Sequence, residues 1–166
     1  MKWNEVTRTE LKGNTLVVKD AMIMLGEDES SPETPFVNVN PGEFIFEINV
    51  PQPFHAHRAR IRRLDSKPEA GDEIGSVEVD NAFISFIDYE PFLKAVQQDY
   101  EEYGEWTAGE LDDELAINFS GEIPYKEEKL LYVKSGDGDG TYQCFELVQD
   151  GAQVGIECVF IPQDGE

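Results

Sequence analysis

The sequence predicts a single α+β domain over residues 1–166, with a largely antiparallel β-sheet and about two helices inserted between N-terminal and C-terminal strands. Strand-like segments precede residue 90 and follow residue 120, whereas the segment between them has helical periodicity. This order of strands, helices and strands is typical of the α+β class. The length of 166 residues and the hydrophobic content of 40% are sufficient for one sizeable core.

The first half of the chain is predicted to form strands. Thr15–Leu25 is β-branched and apolar, which indicates one or two strands before an acidic, Pro-containing loop. Gly42–Val50 alternates apolar and polar residues and is bracketed by turn residues. Phe54–Leu64 is its predicted antiparallel partner. Residues 66–76 are predicted to form a loop, and Val77–Asp88 one strand.

Two helices are predicted next. Aromatic and aliphatic residues spaced by three and four favour an amphipathic helix over about Glu90–Tyr103, with Gly104 as its end. Thr107 and Glu110 have the spacing of a capping box, which predicts the start of a second short helix. Leu111 and Leu115 would form its buried face.

The last two strands are predicted to form a hairpin around Asp150-Gly151, a favoured two-residue turn. That turn pairs Gln149 with Ala152. Uninterrupted pairing then places Phe145 opposite Ile156, Leu147 opposite Val154 and Cys144 opposite Glu157. The two cysteines would point to opposite faces of the sheet, so we expect no disulfide between them.

The charge of the chain limits the classes of partner. There are 35 acidic and 13 basic residues, and the formal net charge is −22. This balance argues against nucleic acid and anionic membranes, which require clustered basic residues, and permits a basic protein partner. We read no signal peptide at the N-terminus and no apolar run long enough to cross a membrane. With only two cysteines, we expect a cytoplasmic protein. We also expect a monomer or weak homo-oligomer, and no cofactor.

The segment SGDGDGTYQCFE, residues 135–146, resembles a calcium-binding loop in its spacing of oxygen ligands. Asp137 and Asp139 are its candidate metal ligands. Ser135 replaces the first aspartate, however, and the predicted flanks are strands rather than helices. A phosphate-binding loop is a second alternative, although no helix follows. We favour a glycine-rich turn between two strands.

The segment HAHRARIRR contains both histidines and four of the five arginines. On a strand, His55 and His57 would share a face, as would Arg58, Arg60 and Arg62. The histidines are compatible with a metal site, and the arginines could bind carboxylates or phosphates. The alternative, which we favour, is that the arginines neutralise acids of this protein, for example those of the helices.

A run of acids between residues 99 and 114 contains no basic residue. Helical phasing places these acids mainly opposite the apolar face, so a solvated face is the simplest interpretation. The functional alternative is an acidic docking surface for a basic protein, formed by Glu101, Glu102, Glu105, Asp112 and Asp113.

The succession of PGEFIFEINV, RARIRR, VEVDNAFISFID and GDGDGTYQCFEL resembles domain-of-unknown-function family 4241, over about residues 16–161. Asn81-Ala82 stands where the family pattern has Ser-Gly. The resemblance implies a bacterial, soluble α+β protein with no activity that can be transferred. It implies recurring motifs at Asp80, Gly138, Asp139, Gly140 and Tyr142.

Two functional hypotheses follow. The first is a non-enzymatic binding domain, in particular an immunity-like protein whose acidic surface blocks a basic toxin or nuclease. The second is a small-molecule or metal-dependent enzyme whose site joins residues 136–140, Asp80 and residues 55–63. Its ligand-binding candidates are Arg58, Arg60, Arg62, Asp80, Asp139 and Tyr142. We find no nucleophile, zinc or nucleotide-binding motif in the sequence that would favour the enzyme.

Overall fold

The computed structural model describes residues 1–162 and confirms an α+β fold, with eleven strands in two antiparallel sheets. In chain order the strands are β1 (Asn4–Leu11), β2 (Thr15–Asp20), β3 (Phe36–Asn38), β4 (Gly42–Asn49), β5 (Arg58–Arg63), β6 (Glu69–Val79), β7 (Phe83–Asp88), β8 (Ser120–Tyr125), β9 (Glu128–Lys134), β10 (Gly140–Gln149) and β11 (Ala152–Val159). The helical segments are α1 (Tyr89–Gln98), α2 (Tyr100–Trp106), a π-helical turn (Thr107–Leu111) and α3 (Asp112–Ile117). Among residues 1–162, no helix is both long enough and apolar enough to span a bilayer.

The molecule has three layers. The six-stranded sheet has the order β1-β4-β5-β11-β10-β6, and the five-stranded sheet has the order β3-β2-β7-β9-β8. One apolar cluster fills the space between the sheets, with Phe46 and Phe86 in ring contact across it. A second cluster packs the five-stranded sheet against the helices around Phe92 and Tyr103. The middle sheet is therefore covered on both faces, which explains why β2 and β7 are almost entirely buried.

One predicted strand pair is confirmed, and two predicted strand boundaries are corrected. The predicted β4–β5 pair is present, with Phe46 opposite Ile61. Residues 66–76 are not only a loop, because β6 begins at Glu69 and pairs with β10. This strand lies at a sheet edge, where its many acids remain exposed and apolar alternation is not required. Val77–Asp88 is not one strand, because the chain changes sheet at residues 80–82, where Ala82 has a φ of 63°.

The helical boundaries also differ from the prediction. The first helix ends at Gln98, and the Asp99 side chain caps the next helix by accepting from the backbone N–H of Glu102 at 3.0 Å. Gly104 lies inside α2 and does not end it. Thr107 does not start a helix, because its hydroxyl donates to the Tyr103 carbonyl at 2.9 Å within a continuous helical run. The helix-end signal at Gly104 and the capping-box spacing of Thr107 did not interrupt the helical run, because the run buries Tyr103 and Trp106.

The C-terminal hairpin forms with Gln149 opposite Ala152, as predicted. A bulge between Leu147 and Val148 then shifts the register by one residue. As a result Cys144 lies opposite Cys158, and both thiols face the core between the sheets. The prediction that the two cysteines occupy opposite faces is therefore wrong.

Lys19 is a buried cation beneath the helical layer, with an exposed fraction of 4%. Its ammonium donates to the backbone carbonyl of Asp20 at 2.9 Å and to that of Ile23, which fixes the turn after β2. Burial lowers the Lys19 pKa to about 8, although the nearby carboxylates of Asp20 and Glu29 oppose the shift. The Lys19 amine keeps its proton to a higher pH in the unfolded chain than in the folded protein. Below a pH of about 8, where the amine is charged in both states, burial of the charge therefore destabilises the fold.

We therefore expect the free energy of unfolding to gain about 2 kcal/mol from Lys19 as the pH rises from about 8 to about 10. The sign follows because the unfolded state carries more protons than the folded state in this window. Urea unfolding across the window should show the gain in the wild type and lose it in Lys19→Met. Equal slopes for the two proteins would contradict the buried-amine assignment.

Candidate functional site

The helical layer presents an acidic outer surface. The five predicted docking residues are all exposed, and they alternate with the buried side chains of Tyr103, Trp106, Leu111 and Leu115. Residues 95–125 contain no Lys or Arg. The surface is defined as the acidic face: Glu101, Glu102, Glu105, Glu110, Asp112 and Asp113.

The acidic face contains a groove of about 410 Å³ between the helical run and the turn that joins β8 to β9. Its acidic rim is formed by Glu102, Glu105 and Glu110. Its other lining residues are Trp106, Gly109, Pro124, Tyr125 and Lys126. We call it the acidic groove. The π-helical turn passes through it at Gly109 and Glu110, and such turns are frequent at functional sites.

Two aromatic rings give the acidic groove a rigid floor. The ring centroids of Trp106 and Tyr125 are 4.9 Å apart, and the indole N–H of Trp106 donates to the Pro124 carbonyl at 3.1 Å. Tyr103 stacks on Trp106 from the core side at 5.9 Å. Both floor residues are held by tertiary packing, so the groove is a preformed feature of the fold.

The Tyr125 hydroxyl is a buried polar group with no hydrogen-bond partner among residues 1–162. Burial raises the pKa of Tyr125, and the negative charges of Glu102 and Asp99 raise it further. The hydroxyl therefore lies within electrostatic range of the Glu102 carboxylate, on the rim of the groove. A buried hydroxyl without a partner costs free energy, so this position favours an added hydrogen-bonding group.

Lys126 is the cation that borders the acidic groove. Its ammonium nitrogen is 3.7 Å from the Glu102 carboxylate and 5.8 Å from the Tyr125 ring centroid. Lys126 lies in the turn between β8 and β9, where its backbone φ is 54°, and the residue is exposed. Because the Lys126 and Glu102 side chains are 28% and 53% exposed and their charged atoms are 3.7 Å apart, this ion pair contributes little to stability.

The arginine row predicted to bind ligands lies elsewhere, on the outer face of the six-stranded sheet. Arg60 and Arg62 donate to one carboxylate oxygen of Glu47 at 2.8 and 2.7 Å. Arg58 donates to Glu157 at 3.3 Å. These acids stand on the neighbouring strands β4 and β11, not on the helices. Arginines and acids thus form a network within the sheet.

The Gly-Asp loop joins β9 of one sheet to β10 of the other and has no flanking helix. Asp139 accepts from the backbone N–H of Ala82 at 2.9 Å, and the Tyr142 hydroxyl donates to the Gly138 carbonyl at 2.8 Å. Asp137 faces His55 at 3.8 Å. The Asp139–Ala82 hydrogen bond holds the loop against the turn between β6 and β7.

Asp80, Asp139 and Tyr142 are brought to one end of the six-stranded sheet, because Gly140 pairs with Val79. The exposed Asp80 side chain and the buried Tyr142 ring do not line a common cavity with Arg60, which stacks on Trp3 at 4.1 Å on the outer face. Within residues 1–162, no group of three His, Cys, Asp or Glu side chains is placed to hold a metal ion. Of the residues in the enzyme hypothesis, His55 therefore lies beside the Gly-Asp loop, whereas Arg60 and Arg62 lie apart from it and contact Glu47.

Sequence reasoning did not identify a second cavity, of about 290 Å³, which opens between the sheets near Asp88. The Asp88 carboxylate accepts from the backbone N–H groups of Lys12 at 2.7 Å and Gly13 at 3.1 Å. Burial raises the pKa of Asp88, although these hydrogen bonds oppose the shift. Its polar contacts are satisfied by the β1–β2 turn, so Asp88 positions that turn.

Comparisons with known proteins gave no match: no family model, no curated protein and no solved structure matches the chain. The resemblance to domain-of-unknown-function family 4241 stays a prediction.

Proposed function

We propose that the protein is a non-enzymatic binding domain that docks a basic protein on its acidic face. The observation that carries the proposal is the contrast between the acids beside the arginine row and the acids of the helical layer. On the sheet, Glu47 is neutralised by arginines of the same chain. On the helices, Glu105 and Glu110 have no ion-pair partner among residues 1–162. The neutralising charge for the acidic face would come from another molecule.

The physical role of such docking follows from the charge. A protein that binds nucleic acid or an acidic substrate through a basic surface would lose that surface when bound here. With a net charge of −22, long-range attraction would also accelerate association with a cationic partner. An immunity-like inhibitor of a basic toxin or nuclease is the specific form of the proposal.

A charge-matched pair of variants tests the docking surface, with a nona-arginine peptide as the probe. We expect Glu101→Gln/Asp112→Asn/Asp113→Asn to weaken binding by about tenfold at low ionic strength, because attraction to nearby carboxylates is lost. The control, Asp72→Asn/Glu73→Gln/Glu78→Gln, removes three exposed charges from β6. It should change affinity by about threefold or less. Calorimetric titration measures both, and equal losses would contradict docking on the acidic face.

A further inference from the structure

We infer that the acidic groove receives one arginine side chain of the basic partner, and that Lys126 occupies part of this position in the free protein. This inference rests on the proposed function and specifies its recognition chemistry. The groove combines carboxylates on its rim with the Trp106 and Tyr125 rings on its floor. A planar guanidinium can stack on aromatic faces while its N–H groups reach carboxylates, which an ammonium cannot do equally well.

The contacts of Lys126 support a cation-binding role for the groove. Its ammonium lies near both the Glu102 carboxylate and the Tyr125 ring, the two kinds of group that a guest guanidinium would use. Because this ion pair is long, at 3.7 Å, and its Lys126 and Glu102 side chains are 28% and 53% exposed, it contributes little and Lys126 can leave at low cost. Lys126 would then act as an internal competitor of the partner.

The unpartnered Tyr125 hydroxyl provides an independent indication of a guest. A guanidinium has five N–H donors in a fixed planar fork, so it can bind a rim carboxylate with some of them while others point in a different direction. One donor directed toward the hydroxyl oxygen would satisfy the acceptor that the free protein leaves unpaired. Gly109 leaves open space in the groove, since a Cβ built there meets no atom within 4 Å.

Variants of the groove separate this inference from the broader proposal. We expect Lys126→Gln to bind nona-arginine about three- to tenfold more tightly, because the competitor is gone. We expect Glu102→Gln/Glu105→Gln to bind about tenfold more weakly. A nona-lysine peptide should bind more weakly than nona-arginine to the wild type. In Trp3→Phe, Trp106 is the remaining tryptophan, and its fluorescence should change on binding.

These measurements distinguish failure of the groove inference from failure of the proposed function. If the acidic-face triple variant loses binding while groove variants and Trp106 fluorescence are unaffected, the groove inference is overturned and the proposed function stands. If Lys126→Gln gains no more affinity than Lys129→Gln, which removes an exposed lysine from β9, general charge explains the gain and the inference is also overturned. If nona-arginine does not bind, both fail.

A second inference concerns the two cysteines and is independent of the first. Cys144 and Cys158 are directly opposed on β10 and β11, both have an exposed fraction of 0%, and their sulfurs are 3.0 Å apart. Directly opposed residues of antiparallel strands lie within the range of separations that a disulfide bridges. We propose that this pair forms a disulfide when the chain refolds with oxidised glutathione.

The proposed reaction is a balanced thiol–disulfide exchange. The thiolate of one cysteine attacks oxidised glutathione, which forms a mixed disulfide and releases one glutathione thiolate. The second cysteine thiolate then attacks the protein sulfur of the mixed disulfide and releases the second glutathione thiolate. The two cysteine protons end on the released thiolates, so glutathione is reduced while the dithiol is oxidised. Burial shields both thiols in the folded state, which makes opening or refolding the point of entry.

Refolding with oxidised glutathione tests this second inference. We expect a mass lower by about two hydrogen atoms, no free thiol in denaturant, and a melting temperature raised by about 5–10 °C relative to the reduced protein. Cys158→Ala treated in the same way should show no such rise. Two titratable thiols, or stable glutathione adducts, in correctly refolded wild type would overturn the proposal.

Discussion

Replacing Glu47 with alanine is expected to lower the free energy of unfolding by about 3–5 kcal/mol. Glu47 is 5% exposed, and its carboxylate accepts from both Arg60 and Arg62. Without it, two guanidinium groups with little exposure would remain on the sheet without their shared counter-charge. Removal of one partner from such a network costs more than the network itself contributes, because the remaining charges stay desolvated.

Glu43→Ala is the matched control, because Glu43 lies on the same face of β4 as Glu47, four residues before it, and is exposed. It should change stability by about 0.5 kcal/mol or less. Urea unfolding of both variants gives the comparison. Replacing Glu47, Arg60 and Arg62 together with methionine should recover much of the loss, since no unpaired charge remains. Similar stabilities for Glu47→Ala and Glu43→Ala would contradict the structural role of this network.

Replacing Asp20 with alanine should cost about 3–5 kcal/mol. Asp20 is 1% exposed, and its carboxylate accepts from the backbone N–H groups of Asp80 at 2.6 Å, Asn81 at 3.1 Å and Met22 at 2.8 Å. These bonds hold the segment where the chain passes from one sheet to the other. Its negative charge also favours the charged form of the buried Lys19.

Hydrogen exchange measures directly the loss of the hydrogen bonds from the Asp80 and Asn81 amides to Asp20. In Asp20→Ala, the amides of Asp80 and Asn81 should exchange much faster, while Asp28→Ala, which changes an exposed loop carboxylate, should leave them protected. Asp20→Asn keeps one acceptor oxygen and should fall between the two. Unchanged protection in Asp20→Ala would show that the carboxylate does not hold this crossing.

The order of strands and helices was predictable because apolar periodicity is a local property. The β4–β5 pair and the turn at Asp150-Gly151 followed from alternation and turn chemistry. The bulge, in which Val154 of β11 is the extra residue opposite Leu147 and Val148, was not predictable from these signals, since one extra residue leaves the apolar pattern acceptable on either side. That single residue reversed the expected orientation of Cys144 relative to Cys158.

The candidate site was predictable only in part. Helical phasing correctly indicated an exposed acidic surface, because the buried aromatic residues fix the opposite face. The acidic groove depends on Tyr125 of β8, which tertiary packing places beside Trp106 from a separate element. The partners of the arginine row likewise depend on strand order, which places Glu47 and Glu157 on the two neighbours of β5. Neither arrangement has a short-range sequence signal.

An NMR titration of the isotope-labelled protein with nona-arginine, followed residue by residue, locates the surface that binds the peptide. Docking on the acidic face predicts that the largest shift changes occur at residues 101–113 and at Lys126, with the Trp106 indole N–H among them. It also predicts small changes on β6, whose exposed acids include Asp72, Glu73 and Glu78. Changes spread evenly over both acidic surfaces, or centred on β6, would contradict it.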